Sequence, residues 1–254
     1  MNKKLLGALA LLIPFSASAD IIGVTAGAYH WKQDFSGDLR ADQAGDDEID
    51  LEDDLNFDDD KTNVFFVALE HPIPLLPNIR LGSTGIDLSE TGTVSRTFQY
   101  EGNTYNQGSQ VRSDIDLSHV DATLYYEILD NIVSLDIGLT ARKFDGEAKI
   151  TDVTPGGTGQ SASSDIDGTL PLLYANARVD LPFLPGLYAA GEMHGISVSG
   201  NSLIDTKVNI GYEILGIVGL ELGVRSFDLD LEGDDDEEFN MTVDGAFFGI
   251  VIDL

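Results

Sequence analysis

Val133-Ser134-Leu135-Asp136-Ile137-Gly138-Leu139-Thr140-Ala141-Arg142 alternates with a period of two. Val133, Leu135, Ile137, Leu139 and Ala141 share one face, and Ser134, Asp136, Gly138, Thr140 and Arg142 share the other. Successive side chains of a strand point to opposite sides, so this stretch reads as a strand with one wholly apolar face and one charged face. A water-soluble sandwich shows the same alternation, so the stretch fixes the strand and leaves its surroundings open.

The flanking sequence repeats the pattern. Val208, Ile210, Tyr212 and Ile214 alternate with Lys207, Asn209, Gly211 and Glu213. Leu220, Leu222 and Val224 alternate with Glu221, Gly223 and Arg225, and Leu173, Ala175, Ala177 and Val179 with Tyr174, Asn176, Arg178 and Asp180. Phe65, Val67 and Leu69 share a face, as do Ile22, Val24, Ala26 and Ala28 opposite Gly23, Thr25 and Gly27. Four connections are short and partly apolar: 72–78, 129–132, 182–186 and 215–218. Five are longer and polar: 33–60, 92–112, 152–166, 198–204 and 230–238. Four turns at one end and five loops at the other make ten strands, with both chain ends on the short-turn side. This sorting predicts an all-β fold, an antiparallel up-and-down transmembrane β-barrel of ten strands. A sandwich has no reason to sort its loops by length.

Two hairpins repeat. Tyr126-Glu127-Ile128-Leu129 precedes Ile132-Val133-Ser134-Leu135-Asp136-Ile137-Gly138, then Arg142 and Phe144-Asp145. Tyr212-Glu213-Ile214-Leu215 precedes Ile217-Val218-Gly219-Leu220-Glu221-Leu222-Gly223, then Arg225 and Phe227-Asp228. The proline turns 72–77 and 181–185 also correspond, as expected of a barrel grown by hairpin duplication. Tyr125, Tyr126 and Tyr212 lie beside short turns, and Tyr29, Trp31, Phe35, Phe144 and Phe227 near long loops. That placement predicts aromatic girdles at both membrane interfaces.

Residues 1–19 read as a cleaved signal peptide, and 20–254 as the barrel. Lys3 and Lys4 precede an apolar run from Leu5 to Ile13, and Ala17-Ser18-Ala19 is a small-x-small cleavage site. As a helix that run would be about 14 Å long, too short to span a bilayer core. There is no cysteine, hence neither a lipidation site nor a disulfide framework. Without the two signal lysines, 14 − 2 leaves 12 basic residues against 44 acidic, a net charge of −32. Such a chain does not bind nucleic acid, where affinity comes from Lys and Arg on phosphates. No later stretch approaches the length of a transmembrane helix, so only a closed barrel would satisfy its backbone in lipid.

Phe248, Ile250, Ile252 and Leu254 alternate to the last residue. This resembles the C-terminal strand signal of bacterial outer-membrane proteins, with Leu254 where that pattern carries an aromatic residue. With the signal peptide, the Gly27-Ala28-Tyr29-His30-Trp31 first strand, the proline turns and the Tyr-Glu hairpins, the chain resembles the small, uncharacterised Gram-negative outer-membrane β-barrel proteins. The resemblance implies the cell outer membrane as its location and recognition of the last strand by the barrel-assembly machinery.

The charged face predicts a lumen network of Asp136, Arg142, Arg178, Glu192, Lys207, Glu213, Glu221 and Arg225, with Asp180 beside it. A ten-stranded barrel is narrow enough for side chains to fill, so these charges read as a packed ion-pair network before they read as an ion-selective constriction. The role expected is structural or that of a narrow pore, in a monomer. Twelve acidic residues fall in 38–60 and eight in 228–238. Their oxygens suit Ca²⁺ or Mg²⁺, which could bridge the loops to anionic lipid and lipopolysaccharide. Asp228, Asp230, Glu232 and Asp234 start like a calcium loop, but Phe239 stands where the bidentate Glu belongs, and solvated loops are the plainer reading. No cofactor is expected. Two other classes stay open: a barrel enzyme with a site at the rim, for which His30 is the best lone candidate, and a secreted acidic calcium-binding sandwich. His119 and Asp121 share a face without an identifiable nucleophile, and His194 and Ser197 face opposite ways.

Overall fold

A computed structural model describes residues 22–40, 49–51, 59–232 and 238–254. The signal peptide, most of the first acidic loop and Asp234 lie outside these residues. The described elements are all strands: β1 (Gly23–Arg40), β2 (Ile49–Asp50), β3 (Asp60–Glu70), β4 (Asn78–Thr84), β5 (Asp87–Thr93), β6 (Phe98–Tyr100), β7 (Asn103–Tyr105), β8 (Gln110–Asp116), β9 (His119–Leu129), β10 (Val133–Asp152), β11 (Ser161–Asp180), β12 (Leu187–Val198), β13 (Asn201–Ile214), β14 (Val218–Glu232) and β15 (Glu238–Asp253).

Ten of them close a ring in the order β1-β3-β4-β9-β10-β11-β12-β13-β14-β15, each pair antiparallel, with β15 returning to β1. The seam is tied at its end by Val24 and Leu254, whose backbones exchange hydrogen bonds of 3.0 and 2.9 Å. Closure leaves the ring without a free edge, which matters in lipid, where an unpaired N–H or C=O has no partner. The alternation sends the apolar face outward: Phe65, Leu124, Leu139, Leu173, Ile210 and Leu222 are all half or more exposed, Leu222 at 68%. This continuous apolar wall belongs against hydrocarbon.

The short turns at 71–77, 130–132, 181–186 and 215–217 all lie at one end. At the other end the strands run further than their polar sequences suggest. β1 continues to Arg40 inside the expected loop 33–60, and β11 begins at Ser161 inside the expected loop 152–166. Above the apolar wall the outward side chains turn polar, while the inward ones still pack on an apolar cluster, so the apolar-out signal is lost although the ladder continues. The expected loop 92–112 is a sheet extension, in which β5 pairs with β8, β8 with β10, and the small β6/β7 hairpin packs alongside. Tyr105 and Tyr100 donate to the β10 carbonyls of Ile150 and Ala148 at 2.9 and 3.2 Å. The expected loop 198–204 is only a two-residue turn, Ser199-Gly200, with φ of 51° and 89°. Two positive φ values in succession match the twist of a tight hairpin.

Of the eight aromatic residues expected in girdles, two lie there. Tyr126 and Tyr212 do face outward beside short turns. Tyr29, Trp31, Phe35, Tyr125, Phe144 and Phe227 are buried inside the barrel instead. Tyr29, Trp31 and Phe35 have the parity of Gly27, which is the lumen side of β1. Position along a strand gives depth, whereas parity gives the face, and parity decides here.

Candidate functional site

The lumen is layered. At the outer end Trp31, Phe35, Leu172, Leu203, Phe227 and Phe247 belong to one buried apolar cluster that continues into the sheet extension through Leu88, Tyr105 and Ile150. Below it lies the charged layer. Arg142 on β10 forks onto Asp121 of β9, with Nε to Oδ1 at 2.8 Å and Nη2 to Oδ2 at 2.7 Å. Its Nη2 also reaches Asp205 Oδ2 on β13 at 2.8 Å. Arg225 on β14 forks onto the same carboxylate, at 2.8 Å from Nε and 2.6 Å from Nη2. Its remaining nitrogen donates to Tyr29 Oη on β1 at 2.9 Å and Thr84 Oγ1 on β4 at 3.2 Å. Asp205 is thus shared by two guanidinium groups. Bidentate pairs of this kind fix geometry as well as charge.

A third cluster centres on Glu192 of β12. Arg80 on β4 lies 3.1 Å away, His194 Nε2 3.5 Å, and Lys207 3.8 Å. β4 and β12 are four strands apart around the ring, so the Arg80–Glu192 contact crosses the lumen. So does the stacking of His119 on Phe227, ring centres 5.9 Å apart, between strands five places apart. His119 Nδ1 is 2.9 Å from the Leu117 carbonyl and donates to it. Thr140 joins Thr123 and His194 Nδ1 at 2.8 and 2.9 Å.

Nearer the short turns the carboxylates take neutral donors. Asp136 accepts from Asn176 Nδ2 at 2.9 Å, Glu221 from Tyr188 at 2.8 Å, and Glu70 from Tyr125 at 2.8 Å. Arg178 holds Asp180 and Glu213 at 2.9 and 3.2 Å. Two three-layer stacks recur here. Arg80 lies 3.8 Å over the Phe66 ring, which covers Gly27, and Arg178 lies 3.8 Å over the Tyr188 ring, which covers Gly211. Each glycine faces its aromatic directly across the ladder, and a Cβ there would collide with the ring. Glycine lets the ring lie flat on the wall, and the guanidinium takes the ring's negative face.

All eight sequence-predicted network residues therefore point inward, but they do not form one network. Arg142, Arg225, Glu192 and Lys207 gather in the charged layer. Arg178 and Glu213 pair nearer the short turns, and Asp136 and Glu221 have uncharged hydrogen-bond partners. Asp121, Asp205, Arg80, His119, His194 and Tyr29 complete the layer; the sequence puts His119 and Asp121 on one face and singles out His194 and Tyr29 without joining them to the charges, and it does not single out Arg80 or Asp205. The parity of Asp205 with Lys207 could have found it, had β13 not been started after it. Of the cation candidates, Asp228 accepts from Ser226 and Thr242, both at 2.9 Å, and Asp230 from Ser202 at 2.7 Å. Glu232 is exposed. Among the described residues no three carboxylate or histidine side chains gather around a metal position. His30 points outward, 3.1 Å from Asn63 Oδ1 and against the Phe248 ring.

No protein-family model matches the chain, and no curated protein does. It resembles outer-membrane barrels. Ail of Yersinia pestis, solved with the heparin analogue sucrose octasulfate, aligns over 89% of this chain and 98% of its own, with 11% identity and a TM-score of 0.36. The transport unit of the Escherichia coli autotransporter AIDA-I aligns over 95% and 93%, with 12% identity and a TM-score of 0.41. A Pseudomonas aeruginosa FadL homologue aligns over 91% and 89%, with 10% identity and a TM-score of 0.35. These likenesses are distant, and the ten-stranded closure stands on the chain's own strand pairing.

Proposed function

We propose that the protein is an outer-membrane barrel that conducts no solute and serves as a membrane anchor for its raised outer sheet and acidic loops. The observation that carries this reading is the set of contacts across the lumen. Arg80–Glu192, Arg142–Asp205 and His119–Phe227 join walls three to five strands apart, beneath a buried apolar plug. A conducting lumen needs a continuous polar path, and the plug interrupts it.

The outer-membrane location is supported by the apolar outer wall and by the signal-like N-terminus. A non-enzymatic role is supported by the histidines. His119 and His194 are buried in the lumen, His71 is tied into a short turn by Pro77 at 3.2 Å, and His30 faces the lipid side. Lipopolysaccharide is the expected partner for the acidic outer face, where Asp34 and Asp244 stand directly opposite each other on β1 and β15. Divalent cations would offset that repulsion, so EDTA is expected to weaken lipopolysaccharide retention during purification.

The test has two parts. Outer-membrane fractions run boiled and unboiled on a gel should show a mobility shift. The purified barrel in planar bilayers should then show no conductance steps. Steady steps in the wild-type protein would sink the closed-barrel reading in favour of a narrow pore. Recovery only in the soluble periplasm would sink the membrane reading altogether.

A further inference from the structure

The charged layer surrounds a small cavity whose charges do not balance. Its lining holds four cationic side chains, Arg80, Arg142, Lys207 and Arg225, against three carboxylates, Asp121, Glu192 and Asp205. Within this lining the surplus is one positive charge among largely buried side chains; the Asp136 carboxylate lies beyond it, towards the short turns, and accepts from Asn176. An uncompensated charge in such a place is costly, so the layer as it stands calls for one more anion.

Two donors show where that anion would sit. Arg142 is fully buried, yet its Nη1 has no hydrogen-bond partner among the described residues. Lys207 is buried as well, and its ammonium comes no closer to Glu192 than 3.8 Å. Both line the cavity, whose volume is about 30 Å³. That is room for one or two water-sized occupants. A monatomic anion fits, whereas a tetrahedral oxyanion or a carboxylate-bearing solute does not. We infer that the lumen cavity bounded by Arg142 and Lys207 binds a single halide ion, chloride in the cell. Its role is to neutralise the surplus charge and complete the lock across the barrel.

Thermal unfolding of the detergent-solubilised barrel, read by the boiled-to-unboiled band shift, tests this in sodium gluconate, chloride, bromide and sulfate at equal ionic strength. Chloride and bromide should raise the midpoint by several degrees in a saturable way, and sulfate should not. General salt effects run in the opposite order, because sulfate is the stronger stabiliser by exclusion from the surface. A ranking with sulfate highest, or a linear rise without saturation, would overturn the site. Bromide-soaked crystals should show an anomalous peak within hydrogen-bonding distance of Arg142 Nη1, and a water molecule there would also overturn it. Lys207→Met, which brings the count to three against three, should abolish the halide response. If that variant does not fold, the wild-type anion ranking and the bromide peak decide alone. Bilayer conductance tests the closed barrel separately, since a conducting barrel could still hold a halide and a closed one could hold none.

Discussion

The β9/β10 and β13/β14 hairpins share a Tyr-Glu-Ile-Leu approach to the turn, and each returns to an inward arginine followed by an inward phenylalanine, Arg142 and Phe144 in one and Arg225 and Phe227 in the other. Their charges then diverge. Arg142 faces Asp121 across the ladder, whereas Arg225 faces Lys207. Asp121 and Lys207 both stand five residues before the repeated tyrosine, so they occupy equivalent places with opposite charge. Two positions earlier, His119 in one copy matches Asp205 in the other, and Arg225 turns diagonally to Asp205. The spacing from tyrosine to arginine also differs, sixteen residues against thirteen. A longer turn and a register shift after Leu135 absorb the difference. The two arginines occupy equivalent places, and two differences on the partner strand let them share one carboxylate. The two hairpins are therefore unequal: β13/β14 holds the only acid of its own arginine and shares it, whereas β9/β10 has Asp121 and draws on Asp205 in addition.

That inequality sets the order of expected effects. Asp205→Ala leaves Arg225 without a carboxylate and takes one bond from Arg142, which keeps its fork onto Asp121, and should cost about 3–5 kcal/mol, as removing one partner of a buried pair does. Urea unfolding of the refolded barrel, followed by the gel shift, measures it. Asp121→Ala leaves Arg142 its bond to Asp205 and should cost about 1–3 kcal/mol. Equal losses for the two variants would break the proposed asymmetry. Lys207→Met removes a like charge opposite Arg225 and keeps the aliphatic stem, so in chloride-free buffer it should stay within about 1 kcal/mol of wild type. A larger loss would mean that Lys207 holds Glu192 more firmly than its 3.8 Å separation suggests.

The smallest effect belongs outside the lumen. Asp152, at the outer end of β10, accepts from Thr154 and Thr158. Donation to its ionised form holds its carboxyl down at about 2, against an ordinary value of 3.8. A lowered value means the turn is stabilised above the ordinary carboxylate range and loses that support as pH falls towards 2. Amide protection across 153–160, taken as the exchange rate relative to its intrinsic value at each pH, should therefore hold at pH 4 and fall near pH 2, and Asp152→Asn should show the lower protection at both.

The strand count and the outward faces were legible because alternation is local, as Val133 to Arg142 shows. The lock was not, because its partners meet across the ring. Nothing near Arg142 in sequence names Asp205, and nothing near Arg80 names Glu192. Arg80 lies in the short strand 78–84, whose inward residues are Asn78, Arg80, Gly82 and Thr84, too brief a run for its alternation to stand out. Position near the long loops points Trp31 and Phe227 to an interfacial girdle, where aromatic residues are common. Their parity already placed them inside, where they plug the barrel instead of anchoring it.

The seam between β1 and β15 has a kinetic consequence. The two strands that close the ring are separated by nearly the whole chain, as the Thr25–Asp253 side-chain bond illustrates with its separation of 228 residues. Contacts so distant in sequence form late and slowly, because the loop entropy is spent before any bond rewards it. Until they form, β1 and β15 each present a bare ladder to any other strand in reach. A chain deprived of β15 would not make a nine-stranded barrel. It would be a template for aggregation, and an escort that occupies those edges during assembly would act by denying them to other chains.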